Sequence, residues 1–140
     1  MRKTVIITGG NSGIGLAMAH ELARQGAIVC LACRDQGKAA AARQEILQRT
    51  PGAQVELYKL DLSSFKAIHA FAQAFGQRHD RLDALINNAG AVPIRQQFTQ
   101  DGFELQFGGN YLGPFLLTHL LMPLLRVAAD EGGIGQGDAR

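Results

Sequence analysis

Near the N-terminus, Thr8-Gly9-Gly10-Asn11-Ser12-Gly13-Ile14-Gly15 separates a short apolar run from an amphipathic stretch. A glycine-dense turn at such a junction constrains the chain strongly. Thr4-Val5-Ile6-Ile7 reads as a strand, and the pattern from Gly13 onward, with Ile14, Ala17, Met18 and Leu22 on one stripe, reads as a helix. Gly26 ends that helix, and Ala27 to Cys33 is apolar throughout, as in a strand covered on both faces. The predicted unit is therefore strand, tight turn, helix, parallel strand.

The alternation continues. Asp35 is placed to cap a helix running to about Arg49, which Thr50-Pro51-Gly52 ends. Val55 to Leu60 reads as a third strand. Ser63 is placed to cap a helix with Phe65, Ile68, Ala72 and Phe75 on one face, and Leu82 to Asn87 reads as a fourth strand. A loop from Asn88 to Gln100 precedes a long helix expected from about Asp101 to Ala129, which Pro114 and Pro123 should bend or break. The order βαβαβαβα predicts an α/β fold, a parallel sheet with right-handed helical crossovers. Residues 1–129 are expected to form one Rossmann-type domain, and 130–140 a glycine-rich tail.

The glycine turn suggests a ligand. A pyrophosphate needs backbone N–H groups and the positive end of a helix dipole, and side chains would hold it away. Gly9 would allow the sharp turn, Gly13 the approach of backbone to phosphate, and Gly15 close packing of helix and strand. The first 70 residues carry nine basic and five acidic side chains, a balance of +4, and the remainder five and seven, −2. This mild asymmetry suits a small anion better than a nucleic acid, which would call for a basic stripe.

Other chemistry is faint. Cys30 and Cys33 form a C-x-x-C, but inside a predicted strand, where residues i and i+3 face opposite ways. A redox pair usually opens a helix instead. With two cysteines and four scattered histidines, no metal site is readable. Met1-Arg2-Lys3 runs straight into a strand with no leader pattern, and Leu112 to Leu125 is too short and broken to span a membrane, so a cytoplasmic location is expected.

The spacing G-x-x-x-G-x-G in the turn, together with Asn87-Asn88-Ala89-Gly90 after the fourth strand, resembles the short-chain dehydrogenase/reductases. Phe103 to Asn110 and Leu116-Leu117-Thr118-His119-Leu120-Leu121 resemble the helix that follows in the retinol-dehydrogenase-like branch. The resemblance extends to about Arg126. It implies a doubly wound sheet of order 3-2-1-4 and binding of a nicotinamide dinucleotide by Gly9, Asn11, Ser12, Gly13, Ile14, Gly15, Asn88, Ala89 and Gly90. Asp61 and Leu62 would line the adenine pocket, and Asn110 would take the family's place in the proton relay.

At the end of the second strand an acidic side chain would grip the ribose 2′-hydroxyl of NAD and repel a 2′-phosphate. Cys33 stands there instead, and Arg34 follows with a permanently charged fork suited to a phosphate, so NADP(H) is expected over NAD(H). Asp35 is a competing residue that would favour NAD, although its capping position accounts for it.

The family's reaction moves a hydride between nicotinamide and an alcohol or carbonyl carbon, with a Tyr-x-x-x-Lys pair and a serine. Tyr58 and Tyr111 are followed four residues later by Leu62 and Phe115, and no lysine occurs after Lys66. The resemblance thus implies the N-terminal, cofactor-binding half of an oxidoreductase acting on a small apolar alcohol or carbonyl compound, inactive by itself. The alternative is a non-catalytic dinucleotide-binding or interaction module. In either case the fourth strand is expected at an open apolar edge, a route to self-association or to pairing with a relative.

Overall fold

The computed structural model describes residues 2–11, 13–88, 101 and 111–131. Strand β1 (Thr4–Thr8) leads into α1 (Gly13–Arg24), β2 (Ile28–Cys33), α2 (Gln36–Arg49), β3 (Gln54–Lys59), α3 (Phe65–Arg78), β4 (Ala84–Ile86) and α4 (Gly113–Glu131). The four strands form one parallel sheet in the order β3-β2-β1-β4. The expected α/β Rossmann-type architecture is present.

Alternation along the strands divides the core in two. Val5, Ile7, Val29, Leu31, Cys33 and Val55 meet Ala19 and Ala23 of α1 and Ala39, Ala42 and Ile46 of α2 on one face. Ile6, Cys30, Ala32 and Tyr58 meet Ile68, Phe71 and Phe75 of α3 and Leu117 and Leu121 of α4 on the other. Cys30 and Cys33 are both buried free thiols and lie in different layers, so strand geometry separates the C-x-x-C pair.

Several local expectations need correction. The side of α1 that packs on the sheet is Gly15, Ala19 and Ala23, with Met18 and Leu22 partly buried, whereas Ile14 is 76% exposed. Small residues let this helix lie close to the strands, which displaces the stripe read from bulky residues alone. Ser64, not Ser63, caps α3, its hydroxyl accepting from the Ala67 N–H. Asp35 caps α2 as expected, accepting from the Lys38 N–H.

The prolines do not break α4. Pro114 is the second residue of α4. Pro123 is accommodated within the helix on the exposed side, as is His119, the residue whose carbonyl it cannot bond. The helix reaches Glu131, two residues past the expected end of the domain at 129.

Candidate functional site at the strand carboxyl ends

After β1 the chain moves to β2 and then β3 on one side. After β3 it crosses to β4 on the other side of β1. The carboxyl ends of β1 and β4 therefore flank a topological switch point, where open α/β sheets form their crevice. The glycine turn and Asn88 both lie there.

Thr8 is fully buried; its hydroxyl donates to the Ile86 carbonyl at 3.3 Å and accepts from the Asn88 N–H at 2.9 Å. The Asn88 side-chain amide donates to the Gly9 carbonyl at 3.2 Å. Asn88 thus fastens the end of β4 to the turn after β1. On the other side, the Gly9 N–H donates to the Ala32 carbonyl at 2.9 Å, joining the turn to β2.

The glycines divide the work. Gly9 has φ of 67° and Gly13 φ of 58°, a left-handed region costly for other residues. A Cβ on Gly15 would lie 2.4 Å from the Asn88 side-chain nitrogen and 2.7 Å from the Gly9 carbonyl oxygen. Gly15 therefore brings α1 against the turn and Asn88; the close contact anticipated with the strand is instead with these groups. Gly10, absent from the expected site, is also tightly placed, since a Cβ there would lie 2.7 Å from the Leu31 side chain, a neighbour freer to give way than the backbone against Gly15. The second glycine of a Gly-Gly pair was the available signal. Ile14 stands exposed at the start of α1, beside Asn11, which is partly buried.

Cys33 ends β2 beneath this turn. Burial pushes its thiol up, while the backbone N–H groups of Gly10 and Asn11 pull the other way. Arg34, the next residue, is exposed. The Gln36 side chain donates to the carbonyls of Cys33 (2.9 Å) and Tyr58 (3.2 Å), clamping the carboxyl ends of β2 and β3 together next to Arg34 in the chain. Gln36 was missed because only the contact across two strands distinguishes it from an ordinary first-turn helix residue.

Asp61 is part of a local turn: its Oδ1 accepts from the Ser63 N–H at 2.9 Å and the Ser63 hydroxyl at 2.6 Å. Leu62 is partly buried beside the α3–α4 layer. Ser12, Ala89, Gly90 and Asn110 lie outside the described residues, as does most of the loop from Asn88 to Gln100. Tyr58 is not placed to work as a base. It is buried and its hydroxyl donates to Glu56 at 2.7 Å, and burial first, then that carboxylate, push the phenol upward.

Among the described residues no helix is long and apolar enough to cross a membrane.

The family model described as short chain dehydrogenase matches residues 3–135. Over 127 residues the chain is 49% identical to retinol dehydrogenase 13 of Homo sapiens, a match covering 91% of this chain and 38% of that protein. Retinol dehydrogenase 12 of Mus musculus is 50% identical over 127 residues, again 91% of this chain and 40% of that protein. The chain thus spans about two fifths of the length of these curated relatives. Among solved structures, the Pseudomonas aeruginosa RhlG/NADP active-site complex superposes with a TM-score of 0.76 at 32% identity, over 90% of this chain and 47% of that one. The chain belongs to the short-chain dehydrogenase family and is similar within it to the retinol dehydrogenases.

Proposed function

We propose that the chain is the dinucleotide-binding portion of an NADP(H)-dependent oxidoreductase, with the turn from Thr8 to Gly15 as its phosphate cradle. The observation that carries this reading is the backbone of that turn: Gly9 and Gly13 at positive φ, Gly15 without room for a side chain, and the N-terminus of α1 beyond them. These features support the reading, because a pyrophosphate is neutralised by backbone N–H groups and the positive end of a helix dipole and needs a turn free of side chains. Asn11, Ser12 and Ile14 are assigned to the cradle, Asn88, Ala89 and Gly90 to the length of the cofactor, and Asp61 and Leu62 to the adenine pocket.

Arg34 selects the phosphorylated cofactor. Cys33 presents no carboxylate to a ribose, and the Asp35 carboxylate is engaged in capping α2. An exposed guanidinium directly after β2, whose end Gln36 ties to β3, suits a 2′-phosphate. The bound nicotinamide would supply or accept a hydride at an alcohol or carbonyl carbon. Asn110 is assigned the proton-relay position, and proton transfer falls to a Tyr-x-x-x-Lys pair that these 140 residues do not contain. The substrate class is an apolar alcohol, aldehyde or ketone, as the names of the retinol dehydrogenase relatives suggest.

A thermal melt with NADPH and with NADH tests the proposal. A ligand at a hundredfold its Kd adds about 2.7 kcal/mol to the folded state. NADPH should raise the melting temperature more than NADH, and Arg34→Ala should weaken NADPH about tenfold or more while leaving NADH nearly unchanged, in line with a charged hydrogen bond worth about 1.5–3 kcal/mol. Equal shifts with the two cofactors would remove Arg34 from this role; no shift with either on a folded chain would overturn the binding site.

A further inference from the structure

A second polar cluster lies under α3, away from the glycine turn. Cys30 of β2 and Glu56 of β3 are register partners on neighbouring strands and point to the same face. His79, the residue that caps the end of α3, brings its ring over the same spot. The Glu56 Oε1 accepts from the Tyr58 hydroxyl at 2.7 Å, from His79 Nε2 at 2.7 Å and from the Cys30 thiol at 3.7 Å. Cys30 is 0% exposed and Glu56 8%, among Phe71, Phe75, Ile68 and Leu82.

We propose that Cys30, Glu56 and His79 form a binding site for a divalent cation of zinc type. Their three donor atoms, a sulfur, a carboxylate oxygen and an imidazole nitrogen, all lie within 4.8 Å of one another. Bond lengths of about 2.0–2.3 Å and tetrahedral angles separate neighbouring zinc ligands by about 3.3–3.7 Å. Cys30 and Glu56 already stand at 3.7 Å, while His79 and Glu56, at 2.7 Å, would have to part as an ion enters between them.

The donor set fits the ion in charge as well as in kind. A thiolate and a carboxylate together cancel the two positive charges, so a neutral complex replaces a buried carboxylate in an apolar layer, and the mixed sulfur, nitrogen and oxygen ligands suit zinc over magnesium or calcium. The Tyr58 hydroxyl, donating to the carboxylate, orients it from behind. Phe75, stacked on the His79 ring at 4.8 Å, holds the imidazole plane. Arg78 opposes the ion, with its guanidinium 3.5 Å from Glu56 and over the Tyr58 ring, but its side chain is 55% exposed and can turn outward.

Binding balances in protons. The Cys30 thiol loses its proton to solvent and bonds the ion as thiolate. His79 bonds through the Nε2 lone pair, with its ring proton on Nδ1. Glu56 exchanges the hydrogen bonds from these two groups for the ion. No electron moves. The fourth position, on the Arg78 side, is left to water.

The test uses the full chain, stripped with a chelator and titrated with Zn²⁺ against a chromophoric competitor, and with Co²⁺ for its spectrum. One equivalent of Co²⁺ should produce tetrahedral visible bands and a near-ultraviolet thiolate-to-cobalt band. Cys30→Ala should abolish the thiolate band, Cys33→Ala, in the opposite layer, should keep it, and Zn²⁺ should raise the melting temperature of the unmodified chain but not of Cys30→Ala. His79→Gln, which retains a hydrogen-bond donor toward Glu56 and leaves the apolar layer intact, should weaken Zn²⁺ at least tenfold, and carries the test if Cys30→Ala does not fold. No binding at one equivalent by a chain with native circular dichroism, a thiolate band that survives Cys30→Ala, or unchanged affinity in folded His79→Gln would each overturn the site.

Discussion

Gly15 and Gly76 both sit in helices, yet alanine should act on them in opposite directions. At Gly76 in α3 a Cβ would meet nothing within 4 Å. Gly76→Ala should therefore gain about 0.5–1 kcal/mol from helix propensity and reduced chain entropy. At Gly15 the added carbon would press on the Gly9 backbone oxygen and the Asn88 amide. The propensity gain is smaller than an overpacking cost of about 1–3 kcal/mol, so Gly15→Ala should destabilise the chain and weaken NADPH. Urea unfolding of the two variants checks the sign of each effect.

A second residue-scale expectation concerns acid. Asp83 accepts from the Thr4 N–H at 2.8 Å and pairs with Arg81. Burial by itself would raise this carboxyl, but the Arg81 hydrogen bond, the Thr4 N–H and the charges of Arg81 and Lys3 hold it below the usual carboxylate range. A carboxyl depressed on folding stabilises above its unfolded value, near pH 4, and loses that contribution as pH falls through the folded value. Asp83→Asn should thus be less stable than the unmodified chain at pH 7, with the gap closing below about pH 4. A gap independent of pH would assign the effect to geometry rather than charge.

At the scale of elements, α2 depends on its cap. Asp35→Ala should cost about 1 kcal/mol and Asp35→Asn far less, because the asparagine oxygen can still accept from the Lys38 N–H. Denaturant midpoints distinguish the two. The same aspartate illustrates what can be read from sequence: a polar acceptor just before a periodic stretch, with Thr50-Pro51-Gly52 at the other end, marks a helix by chemistry local to the chain. The succession of strands and helices and the glycine turn were legible for a similar reason, since apolar runs and turn residues alternate with little ambiguity, whereas the sheet order 3-2-1-4 followed from the family resemblance. Ser63 and Ser64 were not separable, because which hydroxyl caps α3 depends on the Asp61 turn that engages Ser63. Of the bend or break expected at Pro123, the break does not occur: the proline lies on the exposed side of α4 while Leu117 and Leu121 pack inward, a placement decided by tertiary packing. The cluster of Cys30, Glu56 and His79 was illegible for a stronger reason: its members are 26 and 23 residues apart and meet only through strand register and the end of α3.

For the molecule as a whole, the β4 side carries the thinnest support. β4 has three residues and, among the described residues, pairs only with β1, while α4 covers its layer through Leu117 and Leu121 and its Leu124 carbonyl accepts the Leu82 N–H. Arg81 joins the two elements as well, through Asp83 and Glu131. Asn88 extends from this side to the glycine turn, so the stability of the α4 layer and the binding crevice are coupled through one short strand. Leu121 is 1% exposed, and Leu121→Ala should cost about 2–5 kcal/mol. Against a typical total of about 5–15 kcal/mol, that loss should lower the melting temperature by many degrees. NADPH at a hundredfold its Kd should return about 2.7 kcal/mol, provided the crevice reforms when the chain folds. The variant should then recover a large part of its lost melting temperature with NADPH and little with NADH. A variant that melts low and gains nothing from either cofactor would show that the α4 layer shapes the crevice itself, whereas one that loses no stability would show that α4 adds little to the fold that holds the glycine turn.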